Sequence, residues 1–102
     1  MSAAVIAEHF RRTIRGEVPV AASGRRPYKG EMQYEMGGWH VSVFYCEGHL
    51  DYCDSAVAAD GREGQYDDWT GSDGIGDPIS LLTLDEAKAL EAIFEHARQS
   101  GA

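Results

Sequence analysis

Cys46, His49 and Cys53, with His40 and Asp51 close by in the chain, are residue types that bind zinc. Their spacing, Cys-x-x-His-x-x-x-Cys, serves a metal only if the side chains converge. The alternating pattern around them predicts otherwise. If Glu47-Gly48 forms a two-residue turn, Cys46 faces His49, and Cys53 faces Ser42 some four residues down the ladder. At about 3.4 Å per residue the cysteines then stand roughly 13 Å apart, beyond the ~7 Å between Cα atoms that a disulfide spans. Cys46 and His49 could form a thiol–imidazole pair as cross-strand neighbours. An open sheet surface, however, gives them no concavity, no water exclusion and no oxyanion donors. No nucleophile turn and no paired carboxylates at helical spacing accompany them. The expectation is a polar outer sheet face with no metal, no cofactor and no catalysis. A longer loop at residues 47–48 would relax this geometry, so a thiol- or zinc-dependent enzyme stays open as an alternative.

Two further segments invite chemical readings. Asp73-Gly74-Ile75-Gly76-Asp77, preceded by Asp67 and Asp68, is acidic and glycine-rich like a calcium loop. It lacks the spaced oxygen ligands and terminal Glu of the twelve-residue pattern. Its glycines precede Pro78 instead of opening a helix, which also excludes a phosphate-binding loop. Arg11, Arg12, Arg15, Arg25, Arg26 and Lys29 form the basic cluster. Its expected partners are the protein's own acidic region or a helix C-terminus rather than nucleic acid.

The elements that must position these residues read as α+β: an antiparallel three- to four-stranded meander packed on one face by N-terminal and C-terminal helices. The whole chain, residues 1–102, is expected to be a single domain. A helix spans about 3–15, with Ser2 as cap, Ile6, Phe10 and Ile14 on one face, and Gly16 as its stop. Residues 17–30 hold Pro19, Gly24, Pro27 and Gly30 and read as a loop. The meander covers about 31–69. Gly37-Gly38 suits a tight hairpin turn, placing Met36 opposite Trp39, Tyr34 opposite Val41 and Met32 opposite Val43 on the core face. Across the second turn, Leu50 falls opposite Tyr45 and Tyr52 opposite Val43, with Ala56 on the same face. Asp60-Gly61 leads to a weaker strand around Glu63–Trp69, and residues 70–78 form a glycine-rich acidic loop. Thr83 and Glu86 make a capping box that opens a helix over about 84–98, with Ala87, Leu90, Ile93, Phe94 and Ala97 on one side.

Charge is distributed unevenly over this frame. Between Glu47 and Asp77, nine carboxylates meet a single cation, Arg62; this balance equals the net charge of the whole chain, −8. A field concentrated in this way governs association with basic partners and disfavours direct contact with nucleic acid. No apolar stretch reaches the ~20 residues of a membrane span, and Glu8, His9, Arg11 and Arg12 interrupt any signal-like run at the N-terminus. The expected setting is the cytoplasm.

Gly38-Trp39, Leu50-Asp51-Tyr52-Cys53, Asp60-Gly61-Arg62, Asp68-Trp69, Asp77-Pro78-Ile79 and Leu81-Leu82 resemble a family of small uncharacterised proteins from pseudomonads and their mobile elements. The resemblance covers roughly residues 30–98 and implies a bacterial setting and an accessory role. It carries over no catalytic residue.

The functional expectation is a small acidic, non-enzymatic protein-binding module, of the kind seen in immunity, anti-CRISPR or other anti-defence inhibitors. It would dock its 47–77 surface on a basic protein partner. Asp51, Asp54, Asp60, Asp67 and Asp68 would supply the field, and Phe44, Tyr66 and Trp69 the aromatic anchors. The alternative is a structural or homodimeric module that pairs through the outer face or an edge strand.

Overall fold

Period-two segments need a sheet and period-3.6 segments need an apolar face to lie on, and the chain satisfies both with one two-layer arrangement. The computed structural model describes residues 1–69 and 76–99. Its strands are β1 (Val20–Ala22), β2 (Gly30–Met36), β3 (Trp39–Cys46), β4 (His49–Val57), β5 (Glu63–Gln65) and β6 (Arg98–Gln99). They form one sheet in the order β5-β4-β3-β2-β1-β6. The five strands β1 to β5 are antiparallel neighbours, and β6 joins β1 in parallel. The α+β class is as expected, but the sheet is wider than a three- to four-stranded meander. β1 lies inside the 17–30 segment read as a loop, and β6 occupies the tail of the segment read as helix.

Helix α1 (Ala3–Ile14) begins where the Ser2 hydroxyl accepts the Val5 N–H at 3.3 Å, and buries Ala3, Ile6, Ala7 and Phe10. After the single turn α2 (Tyr66–Trp69) and a 3₁₀ turn (Ile79–Leu81), helix α3 (Leu84–Glu95) opens on the reciprocal Thr83/Glu86 box. There Glu86 N–H donates to Thr83 Oγ1 at 3.1 Å, and Thr83 N–H to Glu86 Oε1 at 2.8 Å. Arg11 on α1 donates to Glu86 Oε2 and to the Leu81 carbonyl, both at 3.0 Å, tying the two helices together. Leu90 and Phe94 of α3 enter the core, where the Phe94 ring stacks on Tyr34 at 3.9 Å. The buried Tyr34 and Tyr45 hydroxyls satisfy one another at 2.7 Å.

The β2–β3 hairpin keeps the expected register throughout, from Met36 opposite Trp39 to Met32 opposite Val43. Its turn residues Gly37 and Gly38 have φ of +58° and +87°, and a Cβ at Gly37 would come within 2.8 Å of Val18 Cγ1. The β3–β4 hairpin departs from expectation. Its turn, Glu47 and Gly48 (φ +54° and +78°), sets Cys46 opposite His49 and Tyr45 opposite Leu50. Two bulges follow on β4, at Asp51 and at Asp54, so Tyr52 lies opposite Phe44, Cys53 opposite Val43, Ser55 opposite Ser42 and Ala56 opposite Val41. Tyr52 therefore belongs to the outer face rather than the core. Cys53 points into the core rather than standing opposite Ser42 on the outer face. Beyond the Asp60-Gly61 turn the expected strand over 63–69 is cut short: β5 has three residues and the chain turns into α2.

Candidate functional site

Both long helices pack on one side of the sheet, leaving the face that carries Glu31, Gln33, His40, Ser42, Phe44, Tyr52 and Ser55 without a covering layer among the described residues. The two β4 bulges shape this face. They turn Tyr52 outward onto Phe44, the rings stacking at 5.1 Å with an interplanar angle of 11°. Tyr66, at the start of α2, leans onto Tyr52 at 4.8 Å and 51°. The three rings form a continuous run from β3 across β4 to α2, half-buried at Phe44 and Tyr52 and 37% exposed at Tyr66.

Carboxylates flank the run. Asp51 and Asp54 are the bulged residues, and Asp67 and Asp68 lie on α2, where Asp68 Oδ2 accepts the Gln65 N–H at 3.1 Å. Asp54 is near enough to Glu31 to hold the Glu31 carboxyl above its ordinary pKa, chiefly by charge repulsion. The Tyr52 phenol is raised too, first by desolvation and then by the surrounding Asp54, Tyr66, Asp51 and Glu31. Two shallow cavities open here. One of about 170 Å³ is lined by Gln33, His40, Val41, Ser42, Ser55 and Val57. The other, of about 230 Å³, is lined by Asp54, Ser55, Gln65, Tyr66 and Asp67.

The arginines do not neutralise this face. Arg11 pairs with Glu86 and Glu8, Arg12 and Arg15 with Glu17, Arg15 also with Glu8, and Arg26 with Glu95. Within the acidic stretch, Arg62 binds Asp60 at 2.8 Å. Among the described residues no ion pair reaches Asp51, Asp54, Asp67 or Asp68. Arg11, Arg12, Arg15 and Arg26 of the basic cluster thus pair outside residues 47–77.

The structure brings together Phe44, Asp51, Asp54, Tyr66, Asp67 and Asp68 from the expected set. It places Asp60 apart, in the β4–β5 turn beside Arg62. Trp69 is corrected: it is 3% exposed, its indole N–H donates to the Met1 carbonyl at 3.1 Å, and it serves the core instead of a binding surface. Tyr52 is the residue sequence reasoning missed, because an unbroken alternation from Leu50 sends it inward. Asp77 was also misread as part of an acidic surface loop. It is buried, and its Oδ2 accepts the Cys53 N–H at 2.7 Å and the Ile79 N–H at 3.0 Å. Residues 73–75 of that segment lie outside the described residues.

Cys53 is fully buried on the core face, its thiol pushed up by desolvation and by the Asp77 and Asp54 charges. Cys46 sits half-buried at the end of β3, on the opposite face of the sheet. Among the described residues no group of three or more His, Cys, Asp or Glu is arranged to hold a metal ion, and no helix is long and apolar enough to cross a membrane.

Comparison with curated proteins and with solved structures returns no match. At the family level, the model described as Domain of unknown function (DUF7693) matches residues 1–96, from the residue before the α1 cap to the C-cap of α3, and the chain belongs to that family.

Proposed function

We propose that this protein is a small acidic binding module that acts without catalysis, docking its open sheet face on a basic surface of a protein partner as an inhibitor or accessory factor. The observation that carries this reading is the aromatic run Phe44–Tyr52–Tyr66 set among Asp51, Asp54 and Asp67, carboxylates without a cationic partner among the described residues. Aromatic side chains supply contact area at small entropic cost, and the carboxylates steer a basic partner onto it. A second copy of the chain would meet like charge on this face, which favours a different partner over a homodimer. Free thiols at Cys46 and Cys53 suit a cytoplasmic setting.

The test is capture of a partner from the native host, followed by association kinetics with salt titration. Asp54→Lys with Asp67→Lys should slow association about tenfold or more at low salt, and the difference should shrink as salt rises. An association rate indifferent to both salt and substitution overturns the reading.

A further inference from the structure

The cavity of about 170 Å³ over β2, β3 and β4 exists because one row of the open face is short. Gln33, Ser42 and Ser55 stand side by side across the three strands. The rows on either side carry larger groups, Phe44 with Tyr52 and His40 with Val57, so the two serines form a floor between them. Ser42 is the informative residue. The buried polar residues among the described ones are His9, Thr13, Ser42 and Asp77. Three are satisfied: His9 by the Met36 carbonyl, Thr13 by the His9 carbonyl, and Asp77 by the Cys53 and Ile79 N–H groups. Ser42 is only 9% exposed, yet its hydroxyl has no hydrogen-bond partner among the described residues. No sealed polar side-chain atom among those residues lacks a partner, so the exposed part of Ser42 includes the hydroxyl, which opens on the cavity. A hydroxyl held nearly buried and left unpaired is set up for a hydrogen bond from outside the chain. The Gln33 carboxamide, the Ser55 hydroxyl and the His40 imidazole line the same cavity, and none of them has a side-chain partner among the described residues.

The chemistry of these groups selects what enters. No Asp, Glu, Lys or Arg lines the cavity, so a charged group would shed water there without meeting a counter-charge. The volume corresponds to roughly five or six waters at about 30 Å³ each, room for one side chain of medium length. A carboxamide is neutral and planar, with two N–H donors on one end and a carbonyl with two lone pairs on the other. The serine hydroxyls and the Gln33 amide each donate and accept, so both ends of an incoming carboxamide find partners. A hydroxyl offers a single donor and fills less of the space, and an aliphatic chain leaves Ser42 unpaired. On these grounds, and resting on the docking role argued above, we propose that the Gln33/Ser42/Ser55 cavity receives the carboxamide of a glutamine or asparagine side chain of the partner protein. The carboxylates of the face draw in a basic surface, and this neutral cavity fixes where on that surface the protein docks.

The experiment titrates the protein with two lysine pentapeptides with free termini, one with glutamine at its centre and one with leucine, equal in charge and close in size. Backbone amide resonances follow the binding. The glutamine peptide should bind about three- to tenfold more tightly, the range that one net hydrogen bond supplies, and should shift the amides of Gln33, His40, Ser42 and Ser55. Ser42→Ala removes a hydroxyl that holds nothing within the chain, so it should leave the denaturation midpoint unchanged. It should also erase the preference for glutamine while keeping a salt-sensitive affinity for both peptides. Equal affinity for the two peptides in the unaltered protein, or a preference that survives Ser42→Ala, overturns the carboxamide assignment and leaves acidic docking standing. A marked fall in the midpoint of Ser42→Ala assigns the hydroxyl to the fold and overturns it as well. Failure of both peptides to bind at low salt also overturns the assignment. If the association rate of a captured partner is then insensitive to salt, the docking reading falls with it.

Discussion

Strand β3 belongs to two hairpins that share a turn geometry and differ in everything after it. On its β2 side the ladder runs without interruption, and Met32, Tyr34 and Met36 meet Val43, Val41 and Trp39 on the core face. On its β4 side two extra residues, Asp51 and Asp54, divide the ladder into short pieces. The groups that hold the hairpins differ as well. His9 of α1 sits at the β2–β3 turn, its Nε2 donating to the Met36 carbonyl at 2.8 Å and its ring stacked on Trp39 at 3.9 Å. Beside the two β4 bulges stand carboxylates: Asp77 Oδ2 accepts the Cys53 N–H and Glu91 Oε1 accepts the Leu50 N–H, each at 2.7 Å. A bulge leaves ladder groups to be satisfied from elsewhere, and acids from the far end of the chain do so here. The regular hairpin builds the core, whereas the irregular one turns Tyr52 outward and creates the aromatic run.

Removing one of these carboxylates should break that division of labour most visibly. Asp77→Ala strands the Cys53 and Ile79 N–H groups in a buried site, and each orphaned donor costs roughly 1–3 kcal/mol. Allowing for partial hydration, a loss of about 2–4 kcal/mol is expected in denaturant unfolding. Asp77→Asn, which keeps one acceptor oxygen, should recover part of it. Asp67→Asn on the outer face should change stability by less than about 0.5 kcal/mol. Equal losses at Asp77 and Asp67 would mean that inner and outer carboxylates do not play separate roles.

The same contrast explains what could be read from the sequence. The helices were legible because Ile6 and Phe10, and Leu90 and Phe94, recur at helical spacing behind Ser2 and the Thr83/Glu86 box, and all four side chains are buried. The β2–β3 register was legible because Gly37-Gly38 fixes the turn and the alternation is unbroken. On β4 the inward positions are 50, 53 and 56, a step of three that a period-two reading spans from Leu50 to Ala56 while missing Cys53. Nothing local marks that step, since the carboxylates beside it stand at positions 77 and 91. β1 was hidden for a related reason. Val20-Ala21-Ala22 has little strand character of its own and is extended by pairing with Tyr34–Met36. Trp69 sits in an acidic, polar segment, yet it is buried because Gly64 leaves room for it: a Cβ there would lie 2.7 Å from Trp69 Cζ2. For the candidate site, the acids and two of its three aromatic rings could be named from the sequence. The ring that joins them could not.

The lock on the regular hairpin can be tested by acid. Desolvation, opposed by the Met36 hydrogen bond and aided by Arg12, holds the pKa of His9 below its ordinary 6.5. The unfolded chain therefore takes up the proton first. The His9 contribution to stability is complete above about pH 6.5 and declines as pH falls below it, by at most about 1.4 kcal/mol per pH unit for one proton. His9→Gln retains an amide donor for the Met36 carbonyl and does not titrate, so its stability should fall less steeply between pH 6.5 and 5. If wild type and variant keep the same slope, the imidazole is not the titrating lock.

The smallest expected effect lies where the two hairpins face each other across β3. Glu31 on β2 carries a carboxyl raised by the Asp54 charge, and Asp54 is the bulged residue of β4. A carboxyl raised in the folded state favours folding below its ordinary pKa of 4.5 and opposes it as pH rises through the folded value, so the pair is repulsive at neutrality. Glu31→Gln should then stabilise the protein. The site is open to solvent, so screening keeps the gain to about 0.2–0.5 kcal/mol at neutral pH and low salt. The gain should fade in high salt and as pH falls through the raised value of Glu31, where its carboxyl takes up a proton. Combining Glu31→Gln with Asp54→Asn should add little beyond either change alone, because both remove the same repulsion. Full additivity would show that the two acids do not sense each other, and would remove the electrostatic link between the regular hairpin and the bulged one.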